Sequence, residues 1–87
     1  MLKITAQRKN GSTVTLKLTG KIHGEWVALL ADECRKAQYA AKQVALDLAE
    51  VTYIDDHGLR VMQSLSPEQV RVINCPAFVA ELLGQRG

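Results

Sequence analysis

Aromatic residues are scarce in this chain. Trp26, Tyr39, Tyr53 and Phe78 make up 5% of its 87 residues. None stands among the N-terminal lysines, and all four fall on predicted helices or a buried strand, so a base-stacking nucleic-acid surface is not expected. Cysteine is also rare. Cys34 and Cys75 are too few for a disulfide scaffold and lack CxxC spacing, which points to a reducing, cytoplasmic setting. No apolar run approaches the ~18 residues needed to cross a bilayer. The start, residues 1–11, has no continuous apolar stretch of the signal-peptide kind, so no membrane insertion is expected. Linkers, repeats and low-complexity tracts are missing. A chain of 87 residues cannot hold two independent cores, so residues 1–87 read as one domain.

Acid is missing from residues 1–21, which carry Lys3, Arg8, Lys9, Lys17 and Lys21. The remainder holds six basic and nine acidic residues, so the formal net charge of +2 divides into +5 and −3. Lysines on an outer strand discourage sheet-to-sheet aggregation, and a solvated edge is the favoured reading of the basic segment. Leu2, Ile4 and Ala6 alternate with polar residues, as do Val14, Leu16 and Leu18, and Asn10-Gly11 between them is a two-residue turn signal. A β-hairpin is predicted, followed by a loop from Gly20 to Gly24.

From Glu25 the period changes. Trp26, Leu29, Leu30, Cys34, Ala37 and Ala41 recur at spacings of three and four, predicting an amphipathic helix with Glu25 at its acidic start and Lys42 at its basic end. Val44 to Ile54 reads as a central strand buried on both faces. Asp55-Asp56-His57-Gly58 interrupts it, and Leu59 to Leu65 reads as a short helix stopped at Ser66-Pro67. Val70 to Ile73 reads as a strand. A last helix has Pro76 as its first residue, with Phe78, Val79, Leu82 and Leu83 on its apolar side and Gly84 as its stop. The fold class is therefore α/β with element order ββαβαβα. Two strand–helix–strand units imply parallel pairs, so a mixed sheet with one antiparallel edge strand and helices packed on it is expected.

Functional groups in open α/β sheets collect beyond the carboxyl ends of the parallel strands, which singles out residues 20–24 and 55–58. Two adjacent carboxylates and an imidazole before a glycine form the most unusual stretch. Helix capping explains one aspartate. It leaves the other, and His57, without a reason.

Residues 44–59, Val-Ala-Leu-Asp-Leu-Ala-Glu-Val-Thr-Tyr-Ile-Asp-Asp-His-Gly-Leu, resemble the signature of STAS domains, and Leu18-Thr19-Gly20-Lys21-Ile22 resembles a second family motif. The resemblance covers nearly the whole chain, in compact form. It implies a bacterial signalling and transcription-regulating module that binds a protein partner, as anti-sigma factor antagonists do. In those proteins a serine just after the signature aspartate is phosphorylated by a kinase that is also the anti-sigma factor. Asp55 matches the signature aspartate, Gly58 and Leu59 match Gly-Leu, and Asp56 stands at the phosphorylated position. His57 replaces a small residue, and His23 stands where antagonists carry Asp.

Asp56 has no hydroxyl and cannot be phosphorylated as serine is. Its single charge falls short of the −1.5 to −2 of a phosphoserine. The expected activity is a non-enzymatic interaction module without a cofactor, antagonist-like but lacking the phosphorylatable serine. Its partner surface is Asp55, Asp56, His57, Gly58 and Leu59 with Lys21, Ile22, His23 and Gly24 beside it. The partner is an anti-sigma factor or serine kinase, or an ATPase subunit if the chain is a small STAS subunit of a lipid-transport complex. A chemical alternative gathers His23, Asp55, Asp56 and His57 around a metal ion. The sequence does not fix the oligomeric state.

Overall fold

The computed structural model describes residues 1–8, 12–65 and 68–84. The Asn10-Gly11 turn, the Ser66-Pro67 stop and the C-terminal residues 85–87 lie outside the described residues. The elements are β1 (Leu2–Arg8), β2 (Thr13–Ile22), α1 (Glu25–Ala40), β3 (Gln43–Ile54), α2 (Asp56–Ser64), β4 (Val70–Ile73) and α3 (Ala77–Gly84). The sheet order is β1-β2-β3-β4. β1 pairs antiparallel to β2, and the pairs β2–β3 and β3–β4 are parallel. The mixed sheet with one antiparallel edge and the order ββαβαβα are as the sequence predicts.

The core forms on one face of this sheet. Leu16, Leu18 and Ile22 of β2, Val44, Leu46 and Leu48 of β3, Leu30 and Cys34 of α1, and Val79 of α3 are fully buried. The helix α1 packs on β2 and β3 and touches α2, which touches α3. On the other face Lys3, Thr5, Lys17, Thr19 and Lys21 lie in the open, except that Thr15 is buried.

Several expectations change here. The strand β2 runs through Gly20 to Ile22 and leaves only His23 and Gly24 as a connection to α1. Gly20 makes that extension possible. It has φ 109°, pairs with Leu2, and a Cβ placed on it would collide with the carbonyl oxygen of Met1. The neighbouring Lys21 N–H donates to that same oxygen at 3.0 Å, pinning the chain start to the strand.

The central strand β3 is buried on one face, not two. Its buried residues are Val44, Leu46, Leu48, Val51 and Ile54. The change of spacing follows from two register shifts against β2, between Lys17 and Thr19 and between Gly20 and Lys21, each with one more residue on β3. Each extra residue re-phases the side chains, as bulges do. At the first shift the Asp47 Oδ1 accepts a hydrogen bond from the Ala49 N–H at 3.0 Å. At the second the Thr52 hydroxyl donates to the Gly20 carbonyl at 3.3 Å. The second shift restores the original phase, so Ile54 faces the core and Tyr53, expected inside, is 49% exposed.

The smaller differences have similar causes. Val27 is buried while Trp26 is half-buried against the core, because α1 presents a slightly rotated face. Lys42 lies beyond the end of α1, which has no basic residue in its last turn. Ala6 and Phe78 are exposed, since the edge strand β1 and the outer side of α3 lack a covering element. Tyr39 is exposed on α1. Pro76 precedes α3, and its carbonyl accepts the Ala80 N–H at 2.9 Å. Both cysteines are free. Burial pushes the Cys34 thiol up to about 11, with Glu33 adding to it, and burial also raises the Cys75 thiol. Neither is set up as a reactive thiolate.

Replacing Gly20 by alanine forces a side chain into a left-handed backbone position and against the Met1 carbonyl. Gly20→Ala is expected to destabilise by about 1–3 kcal/mol, measured as a fall in the midpoint of thermal unfolding. A variant with an unchanged midpoint would show that the β2 extension and the chain start are not tied as described.

Candidate functional site

The two parallel strands β2 and β3 end side by side, with Ile22 opposite Ile54. Each is followed directly by a helix. Short connections bring residues 23–24 and 55–58 together at the same end of the sheet.

Asp55 joins them. Its Oδ1 accepts a hydrogen bond from the Gly58 N–H at 2.8 Å, which makes Asp55 the N-cap of α2. Its Oδ2 accepts from the Gly24 N–H at 3.1 Å, at the start of α1. Its own N–H donates to the Ile22 carbonyl at 3.0 Å, and its carbonyl accepts the Leu59 N–H at 3.0 Å. One residue therefore satisfies open donors at two helix starts, where anions are favoured by the unpaired N–H groups and the helix dipoles. The Gly58 hydrogen bond holds the Asp55 carboxyl below the usual carboxylate range. Partial burial opposes it, while Gly24, His57 and His23 add to the lowering.

Gly58 is buried, and a Cβ there would lie 2.8 Å from Ile22 Cγ2 and 2.8 Å from Ile54 Cγ1. Only glycine lets the first turn of α2 settle on the two isoleucines. Asp56 and His57 are exposed, and Leu59 is half-buried. Because α2 starts at Asp56 rather than at Leu59, Asp56, Leu59, Arg60 and Gln63 share one side of the helix and line a shallow hollow of about 260 Å³. Arg60 and Gln63 were missed by the sequence reading because it started this helix three residues late.

On the β2 side, Lys21 and Gly24 are exposed and His23 is half-buried. The His23 ring meets the Tyr53 ring edge-on, with centroids 6.1 Å apart and planes at 74°. Ile22 was expected on the partner surface, but it is wholly buried in the core. The metal reading of His23, Asp55, Asp56 and His57 does not fit this geometry. Among the described residues no three His, Cys, Asp or Glu side chains are grouped to hold an ion. Both Asp55 oxygens are held by backbone N–H groups. Asp56 and His57 are successive residues of one helix and diverge.

The Asp55 bridge is a pH-dependent element. Its folded pKa lies below the unfolded value of about 3.9, so its stabilisation is full above that value and is lost as the pH falls through the folded one. Asp55→Asn is expected to flatten the acid limb of the stability-versus-pH curve below about pH 4. Asp55→Ala is expected to cost about 1–2 kcal/mol at neutral pH, read from denaturant unfolding. An acid limb that keeps its steepness in Asp55→Asn would remove Asp55 from this role.

The family model described as Mlab, STAS domain, matches residues 5–87, and the chain belongs to that STAS family. It is similar to the solved structure of the anti-sigma factor antagonist SpoIIAA in its unphosphorylated form, at 15% identity and a TM-score of 0.77 over 98% of this chain and 84% of that one. It is also similar to the phosphorylated form of the Bacillus cell fate determinant SpoIIAA, at 16% identity and a TM-score of 0.73 over 98% and 84%. A third likeness is to an antisigma-factor antagonist STAS domain from Rhodobacter sphaeroides, at 15% identity and a TM-score of 0.59 over 84% and 86%. At these identities the likenesses show the fold. No curated protein sequence matches the chain significantly.

Proposed function

We propose that this STAS domain is a non-enzymatic protein-docking module, antagonist-like in architecture but without a phosphorylatable serine. One observation carries the reading. At the start of α2, Asp55 is fully engaged by the fold while the adjacent Asp56 is exposed and, among the described residues, takes part in no cap or ion pair. The structural work of the pair falls to Asp55. Asp56 is left to present a fixed negative charge where the family resemblance puts the phosphorylated residue, and no Ser or Thr lies between Asp55 and Leu59 to take its place.

The docking face is then Asp56, His57 and Leu59 with Lys21, His23 and Gly24 beside it, supported from beneath by Asp55, Ile22 and Gly58. Its surface sets a half-buried leucine among exposed polar groups, an apolar centre with a polar rim. Within the antagonist-like reading the partner is an anti-sigma factor or serine kinase, met in the cytoplasm, and binding does not toggle with phosphate. The description of the matching family, Mlab, rather than an antagonist, favours a second reading. The chain would then be a small STAS subunit of a lipid-transport ATPase complex, docking on an ATPase subunit. A permanent subunit has no need of a phosphoryl acceptor, in line with Asp56.

The test uses the purified chain as bait in extract of its source cells, with the partner identified by mass spectrometry and its affinity measured. Asp56→Lys is expected to weaken that affinity at least about fivefold, as for an interface residue worth over 1 kcal/mol, with thermal stability near that of the unsubstituted chain. An ATPase subunit as partner selects the second reading, and a serine kinase or anti-sigma factor the first. A partner insensitive to Asp56→Lys and to Leu59→Asp would overturn the docking face.

A further inference from the structure

The open face of the sheet carries a feature that the Asp55 loop does not use. Where β2 and β3 end, Lys21, His23, Thr52 and Tyr53 line a hollow of about 410 Å³. The sheet register sets Lys21 directly beside Tyr53. Pairing with β4 stops at Asp47, so nothing in the sheet flanks this end of β3 on its outer side. Tyr53 is 49% exposed, and its ring meets the His23 ring in a T-shaped contact. The Lys21 side chain is exposed and makes no ion pair among the described residues. Lys3 and Lys17 lie further along the same face, through the pairs Lys3–Thr19 and Thr5–Lys17. The acids among the neighbouring sheet positions are Asp47, opposite Lys17, and Glu50, opposite Thr19.

We propose that this hollow receives a single carboxylate side chain of the protein partner, with Lys21 supplying the charge and the Tyr53 ring an apolar wall. The proposal rests on the docking reading above and names the chemistry of what docks. Continuity supports it. His23 lies in the hollow, and Gly24, the next residue, is bonded to Asp55, so a protein seated on the Asp56–Leu59 surface reaches the hollow without a gap. A free small molecule fits less well, because tight binding of one requires most of its surface to be buried. Walls as exposed as Lys21 and Tyr53 do not provide that. A side chain delivered by a larger partner needs no such enclosure. Nucleic acid fits less well again. A polyphosphate running from Lys21 would meet the acids Asp47, Glu50, Asp55 and Asp56 around the hollow, and among the described residues of this face Tyr53 is the one large stacking platform. A single carboxylate needs only one cation.

The experiment titrates the ¹⁵N-labelled chain with a blocked tetrapeptide carrying one central glutamate, with its glutamine counterpart, and with a short oligothymidine. Freed from the partner, the glutamate peptide is expected to shift the Lys21, His23, Thr52 and Tyr53 signals saturably but weakly, with a dissociation constant on the order of millimolar, and the glutamine peptide is not. Lys21→Gln, an exposed substitution with unchanged melting, is expected to weaken that binding about fivefold, the scale of an exposed ion pair. Lys17→Gln is expected to leave it within twofold. Equal responses to both peptides, no response, or shifts spread evenly over Lys3, Lys17 and Lys21 would overturn the proposal. So would tighter binding of the oligothymidine at Tyr53, which would make the face a nucleic-acid surface. The readout does not involve Asp56 or Leu59, so its failure leaves the docking loop to stand or fall on its own test.

Discussion

The Asp55 carboxylate, shared between the Gly24 and Gly58 backbone N–H groups, is the interaction on which the candidate site depends. The two donors belong to different helix starts, separated by thirty-one residues between Gly24 and Asp55. A helix start needs its first N–H groups satisfied, and an ionised acceptor does this more strongly than a neutral one. With one group serving both starts, the spacing of the β2–α1 and β3–α2 connections is set by a carboxylate rather than by loop packing. Surface residues on either side, Lys21 and His23 on one and Asp56 to Leu59 on the other, are therefore held in a fixed relation. An interaction surface with few moving parts loses less entropy on binding.

That bridge works only if β2 and β3 reach the same level, and the register shifts see to it. The connections at this end of the sheet are only two residues and one residue long, and β3 takes up two extra residues along its length relative to β2. Absorbed inside the strand, they leave Ile22 and Ile54 paired at the end, both facing the core, with Gly58 against them. Gly20 is the matching device on β2, letting that strand continue past the chain start to the level of Ile54. The same shifts turn Tyr53 to the open face beside Lys21. Strand irregularities of this kind re-aim side chains near functional sites.

Much of this was legible in the residues. Alternation in β1 and β2, the change to a period of three and four in α1, and the turn-like Asp-Asp-His-Gly gave the element order and the end of the sheet where the candidate site is placed. Signature residues 44–59 gave the STAS family. What could not be read has a common cause. Val44 to Ile54 carries apolar residues on an irregular spacing, which looks like burial on both faces unless the extra residues are known. The extra residues exist only relative to β2, a non-local partner. Tyr53 was misplaced for that reason, and Ile22 was taken for loop because Gly20 reads as a break until Met1 is seen to close against it. The helix start at Asp56 was hidden by its polarity. Once Asp55 is recognised as the cap, the polar first turn is what a helix N-terminus favours, and Arg60 and Gln63 fall into line with Asp56.

The division of labour between the two aspartates also bears on regulation. A carboxylate that held the fold together and also met the partner would couple docking to stability, and any modification there would risk both. Here Asp55 carries the structural role, and Asp56 can vary without disturbing the two helix starts. A phosphorylatable residue at Asp56 would add or remove up to two charges at a helix N-terminus whose geometry is already fixed by its neighbour. The fold thus tolerates either a switch or a constant charge at that position. With aspartate there, the carboxylate at that position is not set by a kinase. Control over this module, in the proposed role, then falls to the amount and state of its partner.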